Sequence, residues 1–119
     1  MNKLLFVYNA NSGIGNMVMD IAHKLFSPET YACNLCAITF DTFSENKTWK
    51  QFREQSDIDM SFFHIDEFEL KHMNQKFDYP IILKQTNTKL HSFLSKECID
   101  KLTSVETLIT AIETKFKHQ

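Results

Sequence analysis

At 119 residues the chain has the length of a single domain, and 43% hydrophobic content with 11 Phe supplies a core that needs no disulfides. Thirteen basic against fifteen acidic side chains leave a net charge of −2, which argues against broad electrostatic binding to nucleic acid or an anionic membrane. Only two Gly and two Pro are present, which excludes low-complexity disorder.

In chain order, Lys3–Tyr8 reads as a buried strand, an apolar run stopped by Asn9-Ala10-Asn11. The loop holding Gly13 and Gly15 leads into a helix whose apolar positions Ile14, Met17, Val18, Ile21, Ala22 and Leu25 follow the 3.6-residue period, with Pro28 marking its end. An insertion over about 29–57 follows. Within it Cys36–Phe40 fits a strand or the first turn of a helix, and Asn46–Gln55 fits a short helix carrying Trp49 and Phe52. Met60–Ile65 reads as a strand with Met60, Phe62 and His64 on one face. Asp66–Met73 suggests a short helix. Tyr79-Pro80 then leads into a strand at Ile81–Lys84, a polar turn over Gln85–Thr88 and a hairpin partner at Lys89–Leu94. The last helix has capping-box spacing at Thr103 and Glu106 and one stripe of Val105, Leu108, Ile109, Ile112 and Phe116.

No apolar stretch reaches the roughly 7–15 residues of a signal peptide or the roughly 20 of a membrane span. Three Cys form an odd set, so a reduced, cytoplasmic setting is the expectation, as one compact domain with no membrane partner.

The α/β class follows from this order of elements. A proline before a hairpin strand, closed by an amphipathic helix, is similar to the plan of the thioredoxin fold: a mixed sheet of about four strands flanked by helices, here with an inserted Cys-x-x-Cys segment. That resemblance makes Pro80 a candidate cis proline and sets the strands at Lys3–Tyr8 and Met60–Ile65 side by side and parallel. The opening Tyr8-Asn9-Ala10-Asn11-Ser12-Gly13-Ile14-Gly15-Asn16 resembles that of the DCC thiol-disulfide oxidoreductase family, whose first strand runs into Tyr-Asp-Gly-x-Cys-Gly-x-Cys-Asn. Asn9 stands at the family's aspartate, and Ser12 and Gly15 at its two cysteines, so the redox dithiol is missing from its usual place. Ser12 reads as the N-cap of the following helix. The chain also resembles a group of small bacterial proteins sharing the landmarks Tyr8–Ala10, Ala22–Lys24, Ser27-Pro28 and Cys33–Cys36. Asn16 and Met17 follow Gly15 where a phosphate-binding loop needs Lys and Ser or Thr, so no nucleotide is expected.

Cys33-Asn34-Leu35-Cys36 is the most specific chemical feature, because two thiols three residues apart bind one metal ion or close one small disulfide ring. With no second pair, further ligands must come from histidine. His23 and His64 are the candidates, and Asp20 would orient the His23 ring. The leading expectation is therefore a structural or sensory zinc or iron ion held by Cys33, Cys36, His23 and His64. The plainer readings are a hydrogen-bonded core His64, a surface His23 and two buried cysteines. A thiol-disulfide oxidoreductase using Cys33 and Cys36 is the alternative in the enzyme class. It is disfavoured where the pair follows a helix, and less so where Cys36 opens one. A third reading is a metal-free module whose Phe-rich surface docks a protein partner. Among the remaining residues, Cys98 is expected to be buried. Asp66, Glu67 and Glu69 are expected to form a solvated acidic turn, and Trp49 and Phe52 to pack the insertion onto the sheet. Lys47, Lys50 and Arg53 are too few for a nucleic-acid footprint.

Overall fold

The computed structural model describes residues 2–9, 33–40, 44–73 and 75–117. The helix expected over Ile14–Leu25, the Gly13/Gly15 loop, Ser12, Asp20, His23 and Pro28 lie outside the described residues.

The protein is α/β, with a four-stranded mixed sheet flanked by helices. The strands are β1 (Asn2–Tyr8), β2 (Asp59–His64), β3 (Ile81–Thr86) and β4 (Lys89–Leu94), in the order β2-β1-β3-β4. β1 runs parallel to β2 and antiparallel to β3, and β3 is antiparallel to β4. The helices are α1 (Asn34–Thr39), α2 (Lys47–Gln55), α3 (Ile65–Lys71), α4 (Lys96–Asp100) and α5 (Val105–Lys117).

The apolar run of β1 is explained by its place. As an inner strand it buries both faces, so alternation gives way to continuous hydrophobicity. Leu4, Phe6 and Tyr8 face the larger cluster, which Leu35 of α1, Trp49 of α2, Ile99 of α4 and Leu108 and Ile112 of α5 complete. Leu5 and Val7 face the opposite layer, where Phe68 of α3 packs with Ile81 and Leu83 of β3. Trp49 meets Phe6 edge-on with ring centroids 5.5 Å apart, so the inserted segment belongs to the core, as its aromatic residues suggested.

The first hairpin strand runs longer than expected, and the second has the expected bounds. β3 extends through Thr86 and β4 begins at Lys89, leaving a two-residue turn with Asn87 at φ 58°. Asn accepts that left-handed conformation more readily than bulkier residues. The Tyr79-Pro80 peptide is cis. The cap of α5 differs from expectation by one residue. The Ser104 hydroxyl accepts the Thr107 N–H at 3.2 Å and the Thr107 hydroxyl accepts the Ser104 N–H at 3.1 Å, in place of Thr103 and Glu106. Two adjacent hydroxyl residues compete for the cap, and it is Ser104 that stands directly before Val105, the first residue of the helix.

Candidate functional site

Cys36–Thr39 is helical rather than extended, Phe40 is the extended C-cap that bridges Glu45, and Cys33 is the N-cap of α1. Its φ of −124° and ψ of 88° lie outside the helical region, as a capping residue requires. Cys33 and Cys36 form a disulfide with their Cα atoms 5.3 Å apart, inside the ordinary range for such a bridge. The Cys33 Sγ accepts two backbone N–H groups, from Cys36 at 3.2 Å and from Asn9 at 3.3 Å. Because Asn9 directly follows β1, the second bond fixes the disulfide at the carboxyl end of an inner strand. Cys33 is 1% exposed, whereas Cys36 is partly buried.

The segment between the cysteines is held from a third direction. The Asn34 amide donates to Ile99 O at 2.6 Å and to Leu102 O at 3.1 Å, tying the segment to α4 and the residues just after it. Leu35 is buried in the core below. At the other end of α1, the buried Thr39 hydroxyl donates to Leu35 O at 2.7 Å, and Asn46 N–H donates to Thr39 O at 2.8 Å.

Tyr8, the last residue of β1, lies on the same face as the disulfide and bonds the Thr39 side chain. Burial raises its phenol to about 12, so it stays neutral at any physiological pH. Phe40 and Phe62 flank Tyr8 with ring centroids 6.1 and 6.4 Å from it, and both are among the exposed large hydrophobic residues. Beneath this rim, Arg53 grips the Glu45 carboxylate with two bonds of 2.6 and 2.7 Å, the fork geometry that suits guanidinium and carboxylate.

His64 pairs with Tyr8 across β1 and β2, with ring centroids 6.4 Å apart, which brings it to the disulfide's end and face of the sheet. It is not a core histidine, because its side chain is 45% exposed. It ends β2 and is the N-cap of α3. Glu67 accepts the His64 backbone N–H at 2.8 Å and lies 2.9 Å from Nδ1. The backbone bond first, and the ring second, hold the Glu67 carboxyl below the usual range. The acidic turn is therefore partly engaged, and Glu69 also accepts the Tyr79 hydroxyl at 2.9 Å.

Cys98 is an exposed free thiol in α4, not the buried residue expected, because Ile99 takes the core-facing position. Among the described residues no group of three or more His, Cys, Asp or Glu is arranged to hold a metal ion. Of the four expected ligands, the structure joins Cys33 to Cys36 and brings His64 to the same sheet end, while His23 lies outside the described residues. No described helix is long and apolar enough to cross a membrane. The Asn9 amide and the Asn34 clamp had no signal in the sequence. The first contact is made by backbone 24 residues from Cys33, and the second reaches a helix too short to show a period.

Comparison with protein-family models, curated proteins and solved structures yields no match to any of them.

Proposed function

We propose that the chain is a thioredoxin-like domain whose Cys33–Cys36 pair exchanges between disulfide and dithiol with thiols of other molecules. The observation that carries this reading is the pair's setting: a bridged Cys-x-x-Cys at the start of α1, with the Cys33 sulfur on the Asn9 and Cys36 amides. Those donors favour a thiolate over a thiol when the bridge opens, which is what an exchanging cysteine needs. The objection that the pair follows a helix loses its force, because Cys33 caps one. The mixed sheet of order β2-β1-β3-β4 and the place of Pro80, one residue before the Val7–Ile81 pair, support the thioredoxin-like reading. On that reading the dithiol has moved from the positions of Ser12 and Gly15 to Cys33 and Cys36.

The test is catalysed reduction of a protein disulfide such as insulin's, with dithiothreitol as electron source. The wild-type chain accelerates it over dithiothreitol alone, and Cys36→Ser abolishes the acceleration. A wild-type rate equal to the uncatalysed one contradicts the proposal.

One observation favours a second reading, a zinc or iron ion held in the reduced form by Cys33, Cys36, His64 and His23. The Glu67 contact at Nδ1 leaves the other ring nitrogen of His64 for a ligand, the arrangement common in metal-binding histidines. Near one equivalent of zinc or iron in reduced protein purified without chelator would select this reading over exchange.

A further inference from the structure

Resting on the exchange reading and giving it a direction, we propose that partner thiols attack Cys36, and that Cys33 is the leaving and resolving sulfur.

The two sulfurs of the bridge differ in access. A thiolate must approach the sulfur it attacks from the side opposite the bond that breaks. Cys33 is 1% exposed and sits in the main core with Tyr8, Leu35 and Ile99, so that approach is closed. Cys36 is only partly buried, at the margin of the same cluster. The hydrogen bonds point the same way. Both the Asn9 and the Cys36 N–H groups are directed at Cys33 Sγ. A bridged sulfur is a weak acceptor and a thiolate a strong one, so these bonds tighten as negative charge develops on Cys33. A stabilised leaving thiolate departs faster, which biases cleavage toward its release.

The step balances without an external oxidant. The electron pair of the incoming thiolate forms the new bond to Cys36 Sγ as the Cys33–Cys36 bond breaks, and that bond's pair leaves on Cys33 Sγ. The products are a mixed disulfide on Cys36 and a Cys33 thiolate held by two amides. A second thiolate then attacks the partner-side sulfur, releasing Cys36 as thiolate, joining the two incoming thiols and leaving the protein as the dithiol. In the oxidising direction, Cys36 thiolate attacks a substrate disulfide. Cys33 thiolate then attacks Cys36 Sγ, re-forming the bridge and expelling the substrate thiolate.

The test is to mix oxidised wild-type protein with reduced glutathione, quench early in acid, and alkylate free thiols with N-ethylmaleimide. Fragment-ion mass spectrometry then locates each adduct. Glutathione on Cys36 with alkylation on Cys33 is expected in at least about tenfold excess over the reverse. Glutathione mainly on Cys33, or shared evenly, overturns the direction and leaves exchange itself standing. No mixed disulfide at either cysteine, with the bridge still intact after prolonged incubation in excess reduced glutathione, overturns both. As a second measurement, Cys33→Ser and Cys36→Ser, each verified as folded by circular dichroism, are treated with oxidised glutathione. The Cys36 thiol is expected to react at least about tenfold faster than the Cys33 thiol, and equal or reversed rates overturn the proposal.

Discussion

Asn34 shows how one side chain ties the disulfide to the rest of the molecule. Its amide donates to Ile99 O in α4, which also accepts the Leu102 N–H at 3.0 Å, and to Leu102 O just beyond the helix. Asn34→Ala removes the side-chain donor from Ile99 O and Leu102 O and should cost about 1 kcal/mol. Urea denaturation of the oxidised protein measures this, and an unchanged midpoint would show that water replaces the amide at no cost. The cysteine pair was legible at this scale because Cys-x-x-Cys spacing is itself a chemical constraint. The place of His64 at the end of its strand was legible from the strand pattern, whereas the parallel register that sets it beside Tyr8 came only with the resemblance to the thioredoxin plan. Its exposure was not, because a two-residue alternation names a face but not whether a helix covers the end of it. The buried state expected for Cys98 failed for a related reason. α4 is five residues long and offers too little periodicity to separate Cys98 from Ile99.

At the scale of elements, the strands were legible because β1 and the start of β3 are apolar runs buried on both faces. The last helix was legible from its stripe, of which Val105, Leu108 and Ile112 are buried. Its first residue was harder to read, since Thr103 and Ser104 both offer a capping oxygen. The hydrogen bonds choose Ser104. Ser104→Ala should therefore lower stability by about 1 kcal/mol, and Thr103→Ala should change it by a few tenths at most. Thermal melts of the two variants decide between them, and equal losses would contradict the assigned cap. The helix at 34–39 was read as an open alternative because six residues carry no full helical repeat. Tertiary support supplies what local propensity lacks: Leu35 and Thr39 are buried on one side, and Asn34 is clamped at the start.

For the whole molecule, two phenols link stability to alkaline pH. Burial is the main cause at both Tyr8 and Tyr79, and the Glu69 carboxylate adds to it at Tyr79. Each rises from 10.0 to about 12 in the fold, so the folded chain holds these protons more tightly than the unfolded one. Their contribution is complete below about pH 10 and is lost as pH climbs from there through about 12. Tyrosinate absorbance followed together with circular dichroism should show these two phenols ionising only as the fold is lost. Complete ionisation of every tyrosine near pH 10 with the fold intact would contradict that.

At the same scale, the order of strands and the two-sided burial of β1 set the end of the sheet at which Cys33, Tyr8 and His64 all lie. The fold thus provides the location, and on the exchange reading the two amides on the Cys33 sulfur would favour its thiolate. The most direct measurement is a redox titration of the Cys33–Cys36 pair in glutathione buffers, with alkylation and mass spectrometry reading the fraction bridged. A fully reversible two-electron transition between dithiol and disulfide is expected as the ratio of reduced to oxidised glutathione is varied. A pair that stays reduced in excess oxidised glutathione would contradict it.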